Sequence, residues 1–180
     1  TPYDVHLRMT SPLIDRGTSK LVESYQTLPQ NLAVTHDVDG EVRGWQPDIG
    51  ADEIAASLVG SGSTSIGGTQ NLVLRAPRDG GLAYQVGSSF GMGPIMVSWR
   101  PLGLGVDDLL VVTANNYWPT LFSGYRGVLD GQGQGKAAIN IPRTPGLVGQ
   151  TIHSAFVTIS PSARLGIQSI SSTFSFAITK

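Results

Sequence analysis

From position 56 to the C-terminus, short apolar stretches are separated at close intervals by clusters of glycine, proline, aspartate and asparagine. Short alternating stretches between such turn residues are typical of β-strands. No apolar pattern with the 3.6-residue period of a helix persists there, which argues against alternating strands and helices. We therefore predict an all-β fold, an antiparallel β-sandwich of about nine strands. The predicted strands are 57–62, 71–76, 83–88, 95–99, 109–113, 121–129, 136–141, 151–159 and 169–178.

A glycine-rich segment follows Leu129 and runs from Asp130 to Gly135. Asp-Gly favours a tight hairpin turn, and the further glycines relax the backbone. A phosphate-binding loop would be followed by a helix, whereas Lys136 opens an alternating stretch. We therefore predict a β-hairpin here and no phosphate site.

Charge and cysteine content exclude several classes of partner. Charged residues make up 14 % of the chain, the 12 lysines and arginines are scattered, and the formal net charge is -1. Such a chain offers no basic stripe to nucleic acid. No apolar run approaches the roughly 18 residues that a membrane span needs. Cysteine is absent, so disulfides and thiolate chemistry are excluded. We expect no nucleic-acid partner and no membrane insertion.

Residues 1–55 are more polar than the rest and form a separate, irregular β-rich region in this interpretation. Alternation from Tyr3 to Met9 predicts a short strand, which Pro12 ends. The stretch from Asp37 to Gly40 predicts a turn. The chain begins at Thr1 without a signal peptide, so we expect a fragment or processed product of a longer protein, with a cloned domain as the alternative.

Four stretches of this first region carry a pattern: D-V-H-L at 4–7, S-P-L-I-D-R-G at 11–17, D-V-D-G-E-V-R at 37–43 and D-I-G-A-D-E at 48–53. In order and spacing they resemble the end of right-handed parallel β-helix proteins secreted by bacteria. Arg16 departs from the family pattern, where alanine is usual. The resemblance implies that residues 1–55 are the terminal coil and closing loop of a β-helix-like region.

The second region carries a different pattern. Its residues are F-S-G-Y-R-G-V-L-D at 122–130, Gly133, I-N-I-P at 139–142, L-V-G at 147–149, A-F-V at 155–157 and I-S-S at 170–172. They resemble a C-terminal β-sandwich module of many extracellular proteins of planctomycetes and myxobacteria. The resemblance implies that residues 56–180 are such a module, with a role in anchoring, assembly or surface retention.

Together the two resemblances imply a secreted bacterial protein, located outside the cell or at the cell surface. The expected function is a non-enzymatic structural, assembly or anchoring role. A single coil cannot bury its own stacking face, so its apolar side chains need a partner. We expect the partner to be other copies of the chain or the upstream part of its parent, and copies added head to tail would form filaments. The side chains concerned are Tyr3, Val5, Leu7, Leu13 and Ile14.

Candidate catalytic residues are few, and we expect none to be catalytic. No Gly-x-Ser-x-Gly nucleophile elbow is present. The histidines are His6, His36 and His153. A glycosidase needs two facing carboxylates, and the clustered acids here are explained by turns. They are Asp37, Asp39, Asp48, Asp52 and Glu53. The alternative is a fragment of a polysaccharide-active β-helix enzyme, whose groove would lie along earlier coils.

A calcium loop is the only cofactor site that the sequence suggests. Asp37 and Asp39 place carboxylates on alternate residues of a turn, as calcium loops do, and Asp48 stands at the twelfth position. Position twelve of such a loop is usually glutamate, and Arg43 and Trp45 intervene. A structural turn without Ca²⁺ is the competing interpretation, and we expect no other cofactor.

The best candidate for ligand binding is the segment from Asn115 to Trp118. Amides and two aromatic rings lie together between predicted strands, in the residues Asn115, Asn116, Tyr117 and Trp118. Carbohydrate-binding modules use this combination, with apolar ring faces for the sugar ring and amides for its hydroxyls. A carbohydrate-binding module is therefore the alternative function. The competing structural interpretation is that Trp118 plugs the open end of the sandwich.

Overall fold

The computed structural model describes residues 56–93, 95–97 and 100–180, and the chain divides into two units, Thr1–Ala55 and Ala56–Lys180. The second unit is built from antiparallel β-sheets with one short helix, which confirms the all-β, sandwich-like class. Its elements are β1 Ser57–Gly62, β2 Thr69–Arg75, β3 Ala83–Ser89, β4 Ile95–Val97, β5 Arg100–Leu102, α1 Asp108–Ala114, β6 Phe122–Ser123, β7 Arg126–Val128, β8 Gln134–Asn140, β9 Thr151–Ile159, β10 Ile167–Ile170 and β11 Phe174–Ala177. The β-helix-like region predicted for residues 1–55 lies outside the described residues.

The first sheet, sheet I, has the strand order β1-β2-β8-β6. Its strands alternate as amphipathic strands do, with one face buried and one exposed. On β2, Leu72 and Leu74 are buried while Thr69, Asn71 and Arg75 are exposed. The inner face of sheet I is thus mainly apolar, with Gln70 as a buried polar residue, and its outer face is mainly polar.

The second sheet, sheet II, has the strand order β10-β9-β3-β7, and β11 also pairs with β9. β10 and β11 lie on the same side of β9 and are separated by the break at 171–173. There the Ser171 hydroxyl replaces a main-chain acceptor, because Phe156 N donates to its Oγ at 2.9 Å. The break therefore leaves the β9 backbone bonded while the edge strand bends.

The inner faces of the two sheets meet in one apolar core. Leu72 and Ile139 from sheet I and Val86 and Phe156 from sheet II are each at most 2 % exposed. Leucines and isoleucines of this kind each stabilise the fold by about 1.5–3 kcal/mol relative to exposure. The other buried members of this core are Ala56, Leu58, Leu74, Ala76, Tyr84, Leu109, Phe122, Tyr125, Leu129, Ala137, Ile141, Ile152, Phe176 and Ile178.

A buried hydroxyl network interrupts the apolar core on the sheet II side. Ser88 Oγ lies 2.7 Å from Tyr125 Oη and 2.7 Å from Ser154 Oγ. Burial raises the pKa of Tyr125, and its hydrogen bonds with Ser88 and Ser154 oppose that change only in part. The three hydroxyls satisfy one another, so the network removes polar groups from water without leaving them unpaired.

The middle of the outer face of sheet II is covered by α1 and by the described residues 90–93, 95–97 and 100–107, which we name the arm. Leu104 of the arm is completely buried, and a Cβ placed on Gly87 would lie 3.3 Å from Leu104 Cδ1 and 3.0 Å from Leu110 Cδ1. Glycine on β3 thus permits the close approach of both covering elements. α1 also seals the edge of β3, because Thr113 Oγ1 accepts from Ser88 N at 3.0 Å and donates to Ser88 O at 3.2 Å.

Arg100, at the start of β5 within the arm, attaches the arm to sheet II. Its Nη1 donates to Gln168 O at 2.9 Å and its Nη2 to Ile167 O at 2.8 Å, so the guanidinium occupies main-chain acceptors of β10. Burial lowers the pKa of Arg100, and the attraction of the Asp79 carboxylate opposes that change. Asp79 is itself buried and accepts a hydrogen bond from Thr158 Oγ1.

The strand predicted at 109–113 was wrong, since this segment is the helix α1. Asp107 caps its N-terminus by accepting from Leu110 N at 3.0 Å through Oδ1. Asn116, with a φ of 56°, adopts the left-handed conformation just after its C-terminus. The two capping residues stabilise a helix over a β-branched run that by itself favours a strand.

Two other strand predictions and the hairpin prediction need correction. The stretch 121–129 is two short strands, β6 and β7, in different sheets, and 169–178 is divided into β10 and β11. The loop at 130–135 is a turn, in which Asp130 Oδ1 accepts from Gln132 N and Gln134 N. It is not a hairpin, because β7 pairs with β3 while β8 pairs with β2 and β6. β5 was not predicted, since Pro101 disfavours a strand.

Candidate functional site

The segment with the candidate ligand-binding residues connects the C-terminus of α1 to β6. It therefore lies between a helix and a strand, and the prediction of two flanking strands was wrong. Asn116 turns the chain out of the helix in the left-handed conformation, which asparagine tolerates better than most residues. The turn places Tyr117 and Trp118 directly after the helix end, and we call these two residues the aromatic ledge.

The backbone leading into the aromatic ledge is held by the last turns of α1. Asn115 N and Asn115 Nδ2 both donate to Val111 O, at 3.2 Å and 2.8 Å. Asn116 N donates to Thr113 O at 3.1 Å, and Tyr117 N donates to Val112 O at 3.1 Å. The amide nitrogen of Asn115 is thus committed to the helix, and the backbone ahead of the rings has one fixed path.

Two side chains from sheet II hold the same helix end from the other direction. Arg126 donates to Ala114 O and, through Nε, to Gln85 Oε1, and Gln85 Nε2 donates to Thr113 O at 3.4 Å as well as to Val86 O at 2.8 Å. A guanidinium at the C-terminus of a helix is favourable, because helix carbonyls left without partners there carry partial negative charge. The ledge is therefore connected to β3 and β7 as well as to α1.

The backbone leaving the ledge is tied to sheet I. Trp118 O accepts from Leu121 N at 3.0 Å and from Phe122 N at 2.9 Å. Asn140 on β8 donates through Nδ2 to Thr120 O at 2.8 Å, and its main-chain N donates to Leu121 O at 2.8 Å. Both ends of the segment are thus anchored on the sandwich.

The two rings of the ledge are exposed on this fixed backbone. Tyr117 is 65 % exposed and Trp118 is 54 % exposed. Within the part of the chain that the structure describes, the aromatic ring contacts join Phe122 to Tyr125 and Phe174 to Phe176, and neither ledge ring takes part. Trp118 therefore does not plug the end of the sandwich, and its ring is accessible to a ligand.

The ledge carries little charge. Between Asp108 and Asp130 the sequence contains no acidic residue, and its one basic residue is Arg126, whose guanidinium is engaged at the helix end. Asn115 and Asn116 supply the polar groups next to the rings, with Asn115 exposed and Asn116 half-buried. The surface is suited to apolar and hydrogen-bonding contacts rather than to ion pairing.

His153 is the one candidate histidine within the described residues, and it lies on the outer face of sheet II. Its Nδ1 lies 2.6 Å from Ser175 Oγ on the neighbouring strand β11. A serine nucleophile needs an acid to orient the histidine. Among the described residues no group of three or more histidine, aspartate and glutamate side chains could hold a metal ion. We assign the pair to cross-strand pairing.

The remaining candidates lie outside the described residues. They are the calcium candidates Asp37, Asp39 and Asp48, the acids Asp52 and Glu53, and the histidines His6 and His36. Within the described part, no helix is long and apolar enough to cross a membrane.

Sequence reasoning found the rings and missed the residues that position them. Gln85, Arg126 and Asn140 lie on three different strands and reach the segment only through the tertiary fold. The helix α1 could have been predicted from its ends. Asp107 and Asp108 precede the apolar run as helix-starting residues do, and an asparagine such as Asn116 just after the run is typical of a helix end.

Comparison with protein-family models, with curated proteins and with solved structures found no match to this chain.

Proposed function

We propose that the chain is a non-enzymatic extracellular module that anchors its parent protein by binding polysaccharide through Tyr117 and Trp118. The observation that carries the proposal is the exposure of both adjacent rings, 65 % and 54 %, on a backbone fixed at both ends. An exposed aromatic pair gives up the stabilisation that burial would supply, so such a surface points to an interaction partner.

The chemistry of the ledge supports a sugar as the ligand. Pyranose rings have an apolar face of C–H groups that packs on an aromatic ring, and a rim of hydroxyls that needs donors and acceptors. Beside the rings, Asn115 supplies its amide oxygen, since its amide nitrogen is bonded to Val111 O, and Asn116 supplies its side-chain amide. A fixed backbone also lowers the entropy lost on binding, because few groups need to be ordered.

Retention on insoluble polysaccharide tests the proposal. We expect the 180-residue chain to be retained on at least one of cellulose, chitin and mannan, and Trp118→Ala to lose that retention by tenfold or more. Tyr117→Ala should show a smaller loss. Met96→Ala is the matched control, since Met96 is an exposed apolar side chain on β4 at 59 % exposure. Equal retention of the wild type and Trp118→Ala, or no retention at all, would contradict the proposal.

Anchoring is also what the resemblance of residues 57–179 implies. The assembly version of that role depends on residues 1–15, which lie outside the described residues, and it remains a separate prediction. Light scattering and electron microscopy on the chain with and without residues 1–15 test it, and a chain that is monomeric in both forms would rule out filaments.

A further inference from the structure

The outer face of sheet I begins at β6, which directly follows the segment that carries the aromatic ledge, and it has the composition of a binding surface. Val59 is 47 % exposed there, and Ser61, Thr69, Asn71 and Ser123 are also exposed. Sheet II differs, because α1 and the arm lie on its outer face. An exposed strand face built of hydroxyl and amide side chains can hydrogen-bond a ligand along its whole width.

One row of side chains crosses all four strands of sheet I. Ser61 on β1 pairs with Asn71 on β2, Asn71 pairs with Ala138 on β8, and Ala138 pairs with Ser123 on β6. Residues that pair directly point to the same face. Neighbouring strands lie about 4.8 Å apart, so the row spans about 14 Å.

A second row joins this face to the ledge. Thr69 pairs with Asn140, and its Oγ1 donates to Asn140 Oδ1 at 2.9 Å. Asn140 Nδ2 then donates to Thr120 O at 2.8 Å, two residues after Trp118. These bonds fix the second row, whereas Asn71, Ser61 and Ser123 make no side-chain hydrogen bond to any other described residue. Asn71 can therefore use its amide oxygen and nitrogen for a ligand.

Charge identifies the class of ligand. The two rows contain only serine, threonine, asparagine and alanine. In the strand register Lys136 lies in the next row opposite Val73, and Arg143 lies against Gly67 beyond the end of the second row. Without a cation in the rows, an anionic polymer would lose its hydration with no ion pair to replace it. Neutral hydroxyls, which both donate and accept, match serine and asparagine.

We infer that the polysaccharide site extends from the ledge across sheet I and holds a neutral, linear chain of several sugar units. This inference rests on the proposed function, and it adds the charge class of the ligand and the length of chain that is bound. One sugar ring packs on the aromatic ledge, and the following units place their hydroxyls over the row from Ser123 to Ser61.

Calorimetry with oligosaccharides of two lengths tests the inference. The probes are β-1,4-linked glucose oligomers of two and six units, and a galacturonic-acid oligomer of six units. We expect the wild type to bind the six-unit glucose oligomer more tightly than the two-unit one, with an affinity independent of salt. Asn71→Ala should weaken binding of the six-unit oligomer about tenfold, as for one or two lost hydrogen bonds, and leave the two-unit oligomer unchanged.

Arg75→Ala is the matched control, because Arg75 lies on the same strand and face as Asn71 but outside the two rows. It should leave both affinities unchanged. The inference is overturned if Asn71→Ala binds the six-unit glucose oligomer as the wild type does, if the glucose oligomers do not bind, or if the galacturonic-acid oligomer binds more tightly in a salt-dependent manner. Retention on polysaccharide that still depends on Trp118 would then preserve the proposed function while the inference fails.

Discussion

Sheet I and sheet II enclose the same core but differ in how far their outer faces are covered by other parts of the chain. Sheet I presents an exposed outer face whose two central rows carry serine, threonine and asparagine, with Val59, Arg75 and Lys136 beyond them. Sheet II carries glycine and alanine at Gly87 and Ala155 on its outer face, where Ala155 is 1 % exposed and Leu104 lies against Gly87. The comparison teaches that α1 and the arm bury the middle of the outer face of sheet II around Gly87 and Ala155, although Val128 and Ile159 at its margins are exposed, whereas no described element covers the outer face of sheet I in this way.

The largest expected effect follows from truncating Leu104, the side chain of the arm that packs on sheet II. Leu104→Ala should cost about 2–5 kcal/mol of the free energy of unfolding, because Leu104 is completely buried against β3. Val59→Ala, which truncates an apolar side chain on the outer face of sheet I, should cost less than about 1 kcal/mol. Urea denaturation measures both, and similar losses would show that the two outer faces do not differ.

The next prediction concerns Asp107, whose hydrogen bonds hold the arm and the N-terminus of α1 together. Asp107 accepts from Phe90 N at 2.7 Å and from Gly91 N at 3.1 Å through Oδ2, and it also caps α1. Asp107→Ala should cost about 2 kcal/mol, because a helix cap and the partner of the arm backbone are lost together.

The adjacent acid is the control for that variant. Asp108 lies in the first turn of α1 and is exposed, so Asp108→Ala should cost only about 0.3–1 kcal/mol through the helix dipole. Equal losses in thermal or urea unfolding would mean that the cap and the arm contacts of Asp107 contribute nothing beyond its charge.

Alkaline pH tests the hydroxyl network on the inner face of sheet II. Burial raises the pKa of Tyr125 above its ordinary value of 10.0, so the folded state keeps the proton that the unfolded chain releases. The stabilisation is fully present below about pH 10 and falls above it by about 1.4 kcal/mol per pH unit. Burial raises the pKa of Tyr84 as well, so this residue adds to the decline.

Tyr125→Phe isolates the contribution of this hydroxyl. The variant should lose about 1 kcal/mol at neutral pH, since Ser88 and Ser154 can still bond to each other. Above pH 10 its stability should decline less steeply than that of the wild type, and denaturation curves from pH 8 to 11 measure the difference. Parallel declines would show that Tyr125 ionises equally in both states.

The sequence predicted the class of this fold because strand alternation depends on neighbouring residues. β1 and β9 were predicted with the bounds that the structure has, since both are bordered by turn residues. α1 was missed because Val111, Val112 and Thr113 favour a strand locally, whereas the cap at Asp107 and the contact with Gly87 favour a helix. The pairing of β7 with β3 depends on distant residues, which a local turn signal at Asp130 cannot reveal.

The candidate site was predictable in composition but not in geometry. Adjacent aromatic and amide residues at 115–118 indicated a ligand surface. Because these residues are neighbours in the sequence, they could be identified without knowledge of the fold. The backbone on either side of Trp118 is held by Arg126, Gln85 and Asn140, which the fold brings to one segment from three strands. The uncharged rows of sheet I likewise became visible only once the register of β2 and β8 was known.

The smallest expected effect on stability is that of Trp118→Ala. The bonds that hold the segment use the main-chain groups of Tyr117 and Trp118, and the Trp118 ring is 54 % exposed, so truncating it should cost less than about 1 kcal/mol. Phe122, four residues later and 7 % exposed, packs on Tyr125 at 5.2 Å between ring centroids, and Phe122→Ala should cost about 3–5 kcal/mol. Urea denaturation of the two variants separates a ring kept for binding from one kept for the core. A loss of stability at Trp118 as large as that at Phe122 would show that the ledge is part of the structural core. The outer face of sheet I would then have no aromatic residues available to bind a sugar ring.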